Sequence, residues 1–266
     1  MPWQAVVEHG LLTAAIHVVA RVRHARFLKC RVIRPNAEIR VSFSALLRIA
    51  EGGRYLLVRS IHRPDFFGPF GGVYKYFDEA KPHLDEVQFK PEDLGPDDDM
   101  RNDLRGFLPR RYLPRHHKWF LNSEARESPG ACLYRELCEE LKEAKVKGLT
   151  PPPAMSLRRI RAIEEGPEDV PGRRYMQYRV FEVYEPVVTA VTIEQFKKRL
   201  FRSAQDNSDL LVANAEEILT GRARDDRLIG HHAVYLIAGR RIRREGAPFA
   251  HRPHGNDSGQ QRPDRV

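Results

Sequence analysis

The sequence predicts an α/β fold, and three observations carry that prediction. Ile39, Val41, Phe43, Ala45 and Leu47 alternate with Arg40, Ser42, Ser44 and Leu46, the two-residue period of a strand with one face buried. Leu133, Leu137 and Leu141 recur at helical spacing behind Pro129, which suits a first helical turn. Two further runs, Leu157 to Ile163 and Tyr175 to Tyr184, flank a polar connection containing Gly and Pro, the pattern of a strand pair.

Taken in order, residues 1–38 read as an N-terminal helical and basic extension. Its apolar run Leu11 to Ala20 contains Thr13 and His17 and falls short of the roughly 20 residues of a spanning helix, so no transmembrane segment is expected. No Lys or Arg precedes that run, which argues against a secretory signal. Residues 39–59 read as a hairpin, with Tyr55-Leu56-Leu57-Val58 as the second strand and Gly52-Gly53 at the turn. Phe66 to Gly72 is a glycine-rich loop where backbone can approach a ligand closely. Residues 73–120 look inserted: an acidic half with Asp97, Asp98 and Asp99 precedes Leu104 to Lys118, which has five basic residues and no acid. Phe107, Tyr112, Trp119 and Phe120 make this segment too apolar for a disordered linker.

The clearest helix spans 129–145, with Lys142 and Lys145 near its C-terminal end and Gly148 and Pro151 to Pro153 beyond it. Thr192 to Phe201 reads as a helix with a capping box, Thr192 and Gln195. Ala215 to Leu219 reads as a short helix and His232 to Ile237 as a last strand. The organisation expected is an extension over 1–38, a domain over 39–245 with its insertion at 73–120, and a disordered tail over 246–266, where the composition loses all periodicity.

A chain of 266 residues with 41% hydrophobic content can bury a sizeable core. Three cysteines (Cys30, Cys132, Cys138) without CxxC spacing argue against a disulfide framework and a thiolate zinc site, and fit a reducing, cytoplasmic setting. The histidine pairs His116-His117 and His231-His232 also lack zinc-ligand spacing. The net charge of +9 is concentrated in residues 21–63, with eleven Lys or Arg against Glu38 and Glu51. That surface attracts anions, or is a solvated face without function.

Glu136, Glu139 and Glu140 lie at i, i+3 and i+4, so a helix would point all three carboxylates from one face. Such crowding costs a few tenths of a kcal/mol per pair even when exposed, whereas a hard divalent cation turns it into binding. Mg2+ or Mn2+ is the natural inference. Arg135 is placed either to orient a neighbouring carboxylate or to neutralise charge.

Glu127, seven intervening residues and then Arg135-Glu136-Leu137-Cys138-Glu139-Glu140 resemble the Nudix box, with Glu127 at its N-terminal end. Glu127-Ser128-Pro129 is similar to the family's approach to that helix, and Phe70-Gly71-Gly72 to its preceding glycine loop. Two positions depart from the pattern. Leu121 stands where the box begins with Gly, and Lys142 replaces the Gly after the paired glutamates. Over residues 39 to 185, Val41-Ser42-Phe43, Tyr55 to Arg59, Gly71 to Tyr76 and the long insertion are similar to one branch, the SMODS-associated Nudix group.

The resemblance implies a Nudix-like mixed sheet packed between helices, Mg2+ or Mn2+ held by Glu136, Glu139 and Glu140, Arg135 orienting them, and Glu139 and Glu140 in catalysis. It also implies a functional link to a cyclic-oligonucleotide synthase in bacterial antiphage (CBASS) defence. Glu164, Glu165 and Glu182 are candidates for a general base by their place in the second strand pair. Gly71, Gly72, Arg105 and Arg111, with Arg101, Arg110, Arg115 and Lys118, are candidates for phosphate binding, and Tyr74, Tyr76 and Trp119 for stacking a base.

Three functional classes are compatible with these residues. One is a hydrolase of a nucleoside diphosphate-linked substrate. The second is a sensor or effector that binds a cyclic oligonucleotide without cleaving it. The third is a nucleic-acid or membrane-surface binder using the basic segments, which leaves the Glu127-to-Glu140 spacing unexplained.

Overall fold

β1 (Glu38–Leu47) is the central strand of the molecule and shows why the alternation at 39–47 fades towards its end. In a computed structural model that describes residues 27, 28, 30, 32–92, 101–153, 155–187 and 191–239, Ile39, Val41, Phe43, Ala45 and Leu47 all face one apolar cluster. Leu46 is buried in a second cluster on the opposite face. A strand covered on both sides has no need of polar residues at alternate positions.

The remaining elements are β2 (Ala50–Glu51), β3 (Arg54–Arg59), β4 (Phe66–Gly68), α1 (Lys81–Glu86), β5 (Lys90–Pro91), β6 (Arg105–Pro109), α2 (Leu113–Asn122), α3 (Pro129–Glu143), β7 (Leu157–Asp169), β8 (Met176–Pro186), α4 (Val191–Asp206), β9 (Leu210–Asn214), α5 (Ala215–Thr220) and β10 (Leu228–Ile229). One sheet has the order β5-β6-β1-β8-β7, and the second has the order β10-β4-β3-β2 with β9 also paired to β3. β1 runs parallel to β8 and antiparallel to β6, so the first sheet is mixed. The larger cluster lies between that sheet and α2, α3 and α4, and the smaller between the two sheets.

Residues 73–120 are woven into this architecture. They supply β6, which pairs with β1 from Glu38↔Pro109 to Ser42↔Arg105, and α2, whose Phe120 stacks on Phe43 with ring centroids 4.3 Å apart. The expected pair at 157–184 is present and longer than its apolar runs, because β7 and β8 pair from Leu157↔Pro186 to Asp169↔Met176, with register shifts between Arg159 and Arg161 and between Glu165 and Glu168.

Three expectations are corrected. Residues 39–59 do not fold as one hairpin: β1 joins the first sheet, whereas β3 joins the second. Only Ala50–Glu51 and Arg54–Tyr55 close over Gly52-Gly53, and the two residues after Leu47 carry the chain across. Thr192 does not cap its helix, because Val191 is already helical; a capping box instead opens α5, where Asn214 and Glu217 bond reciprocally. His231–Leu236 is a 3-10 helix, not a strand. Ala233 to Leu236 are all buried there, so unbroken burial rather than pairing explains the apolar run. The Leu11–Ala20 run, the acidic Asp97 to Asp99 and the 246–266 tail lie outside the described residues.

Candidate functional site

The direction of the glutamates is set by the helix that carries them. The Ser128 hydroxyl accepts from Ala131 N–H at 3.2 Å and Pro129 occupies the first turn, so α3 starts where the sequence predicts. Cys132, Leu133, Leu137 and Leu141 are buried against the core. Each buried leucine stabilises by about 1.5–3 kcal/mol, and together they fix the helix's rotation about its own axis. Glu136 and Glu140 are thereby turned towards residues 71 and 72.

Those two glycines permit a close approach. Gly71 has φ 126°, a conformation that L side chains rarely adopt, and a Cβ there would lie 2.2 Å from the Ala45 carbonyl oxygen. Its N–H donates to Glu140 Oε2 at 3.0 Å. A Cβ on Gly72 would lie 2.1 Å from the Glu136 carboxyl carbon. The loop and the helix expected to share a site are therefore in contact, although some fifty residues of chain separate Gly72 from Glu127.

Arg135 ties the cluster together. Its Nε and Nη2 donate to the two oxygens of Glu127, each at 2.9 Å, and Nη2 also donates to the Val73 carbonyl at 3.0 Å. Its Nη1 donates to Glu136 at 2.7 Å and to Glu139 at 3.3 Å. Glu127 is buried and also accepts from the Lys75 N–H at 2.9 Å. The planar fork matched to a carboxylate is the geometry for which arginine is suited. Of the two roles the sequence left open for Arg135, orientation and neutralisation, the contacts serve both.

The carboxylates are not fully compensated. Burial pushes Glu136 up to about 7, with Glu139 and Asp103 adding repulsion, against the ion pair with Arg135. Glu140 is raised well above the ordinary carboxylate range by the surrounding protein and then by Glu136, and only the Gly71 N–H among its nearest partners opposes this. Part of the Glu140 surface still reaches solvent. Partly buried carboxyls with too few cations around them fit a hard, oxygen-ligated divalent cation. Glu139, with 37% of its side chain exposed, is the most open of the three glutamates paired with Arg135. Among the described residues no three Asp, Glu, His or Cys side chains converge on one point, with Arg135 bonded to both Glu136 and Glu139.

Other candidates separate by position. Tyr74 is fully buried, packs on Phe120 and donates its hydroxyl to Glu182 at 2.7 Å, so it offers no face to a base. Tyr76 is likewise buried, and Trp119 stacks on His83 at 4.7 Å. Arg105 pairs with Asp103 at 2.7 Å, close to the site, whereas Arg111 lies over the Tyr112 ring with its N–H bonded to Pro35. Glu182 accepts from Tyr74, Tyr184 and Arg159, Glu165 pairs with Arg179 and Tyr235, and Glu164 accepts from Tyr178.

Sequence reasoning missed Asp103. It is buried, its carboxyl is raised chiefly by burial, and its field reaches both Glu136 and Arg135. A lone Asp after Asn102 carries no signal of this; the Lys75↔Asp103 bridge brings it in. The two departures from the motif are sterically mild. Lys142 is exposed in the last turn of α3, and Leu121 is 46% exposed near the end of α2.

Among known structures, the chain is similar to NrtR of Shewanella oneidensis, crystallised with a 27mer DNA, at 14% identity and a TM-score of 0.32. The match covers 75% of this chain and 58% of that one, so less than two thirds of the NrtR chain is spanned. No curated protein matches. The profile of the SMODS-associated NUDIX domain matches residues 38–237, from the first residue of β1 through the last turn of the described chain, with α3 and its glycine loop inside. On that match the chain belongs to the SMODS-associated NUDIX family.

Proposed function

We propose that this protein is a Mg2+- or Mn2+-dependent hydrolase of a nucleoside diphosphate-linked substrate, working in a CBASS-type antiphage setting beside a cyclic-oligonucleotide synthase. The observation that carries the reading is the pair of under-compensated carboxyls, Glu136 and Glu140, held against Gly72 and Gly71. Glu136, Glu139 and Glu140 are the residues that would hold the cation. A divalent cation supplies Lewis acidity towards a phosphoryl oxygen and lowers the pKa of a bound water. Arg135, anchored by Glu127, positions Glu136 and Glu139. The absence of a side chain at Gly72 lets the Glu136 carboxylate lie against the loop backbone, and Arg105 adds positive charge nearby, partly offset by Asp103.

A second reading is a sensor that binds a cyclic oligonucleotide and leaves it intact. It is favoured by Arg135, which engages Glu136 and Glu139 at once and competes with a cation for them. The test is a mass-spectrometric screen of the purified protein with Mg2+ or Mn2+ against nucleoside diphosphate derivatives and cyclic oligonucleotides. Turnover that vanishes with EDTA and in Glu140→Gln supports the hydrolase. A cyclic oligonucleotide retained and recovered intact, with no turnover of any substrate, would replace it with the sensor.

A further inference from the structure

A cavity of about 390 Å³ lies away from the carboxylates, at the C-terminal ends of the parallel strands β1 and β8. Glu136 and Glu140 approach β1 along the edge where Ala45 N–H bonds the Gly72 carbonyl. The cavity opens along the other edge, where Leu47 is paired with Tyr184 and the chain continues through Glu185 to Val187. None of Gly71, Gly72, Glu127, Arg135, Glu136, Glu139 or Glu140 lines it.

Its walls are apolar: Leu47, Ile49, Met155, Ile193 and Phe196 contribute from β1, the approach to β7, and α4. Its charged lining groups are Arg48, Arg158, Lys197 and Glu185, and Lys197 also pairs with Glu194 at 3.8 Å, so three cations face two carboxylates. Glu185 is already engaged, accepting from Arg48 Nη1 at 2.7 Å and from Arg158 Nε at 3.1 Å. Those two arginines hold its carboxyl below the ordinary range although burial opposes the shift. Positive charge is therefore left over at the cavity. Arg48 is further constrained by the Tyr55 ring, 5.4 Å from its guanidinium carbon. Its Nε–H is buried without an acceptor among the described residues.

We propose that this cavity is a second ligand site, which takes a small amphipathic anion: one phosphate or carboxylate on an apolar body about the size of a nucleoside monophosphate. The volume falls in the range of small-molecule pockets, and the combination of apolar walls with a few convergent polar groups is their usual composition. Arg48 and Lys197 receive the anionic group, and the Leu47, Ile193 and Phe196 walls receive the body. The site is separate from the proposed catalytic one and does not need a cation.

Calorimetric titration of the full chain in EDTA with two probes, adenosine monophosphate and octanoate, tests this and distinguishes a planar from an aliphatic body. Saturable binding of either probe is expected. Lys197→Glu and Val187→Trp, the first reversing a charge and the second filling the mouth, should each weaken it by about tenfold or more, while Glu140→Gln leaves it unchanged. Thermal melts show that each variant is folded, and Lys197→Glu alone carries the test if the tryptophan is not accommodated. The proposal is overturned if neither probe binds at millimolar concentration, if both variants bind as the parent does, or if Glu140→Gln abolishes binding.

Discussion

Glu182 and Glu140 are both carboxylates placed under the helical layer, and the protein treats them differently. Glu182, on β8, is almost completely buried and accepts from the Tyr74 hydroxyl at 2.7 Å, the Tyr184 hydroxyl at 3.2 Å and Arg159 at 2.9 Å. Glu140, on α3, has one resolved donor, the Gly71 N–H, and stands one helical turn from Glu136. A buried carboxylate with three donors is a structural group; one with a single donor and like-charged neighbours asks for a cation from outside. The pair shows that burial alone does not distinguish the two acids: the number and sign of their partners do.

Replacing each acid in turn sharpens that contrast. Glu140→Gln should lower turnover on the order of 10³-fold in a metal-dependent assay, the scale of a lost Lewis-acid site, while urea denaturation shows stability unchanged or increased because a like-charge repulsion is gone. Glu182→Leu should do the reverse, losing about 2–3 kcal/mol in the same denaturation experiment by stranding two tyrosine hydroxyls. Equal stability losses in the two variants would break the comparison.

Mg2+ at a hundred times its dissociation constant should stabilise the parent by about 2.7 kcal/mol, seen as a higher melting temperature. The double variant Glu136→Gln/Glu140→Gln should show none of this, and Glu182→Leu should retain it. The smallest effect is in pH. The Glu136 carboxyl is raised from 4.5 to about 7, so the folded, metal-free protein holds that proton more tightly than the unfolded chain between those values. Its contribution to stability is fully present below pH 4.5 and is lost as pH rises through about 7. The pH dependence of stability in Glu136→Gln should lack that decline, and an identical curve for parent and variant would remove Glu136 from the uncompensated set.

Much of this site was legible in the chain. The leucine spacing, Ser128-Pro129 and the i, i+3, i+4 glutamates each act within one or two helical turns, so α3 and the face of its carboxylates follow from local rules. The short range of those rules is also why other readings failed. Tyr74 was a candidate for stacking a base, but β8 supplies Glu182 to its hydroxyl from more than a hundred residues away. Asp103 gave no signal because its proximity to Glu136 depends on a bridge to Lys75.

The N-terminal strand shows the same division. Its alternating pattern identified a strand, and the Gly52-Gly53 turn identified where the chain reverses. Neither stated which sheet each strand would join. β1 satisfies its backbone groups with β6 and β8, and β3 with β4 and β9, partners that lie as far away as residues 176–186 and 210–214. By itself the sequence determined the strand pattern of β1, the start of α3 at Pro129, and the residues of the carboxylate cluster, because periodicity and charge spacing act over a few residues. Only the tertiary structure decided strand partners, the meeting of Gly71 and Gly72 with Glu140 and Glu136, and which buried glutamate is satisfied, because each depends on groups from distant parts of the chain competing for the same donors, acceptors and space.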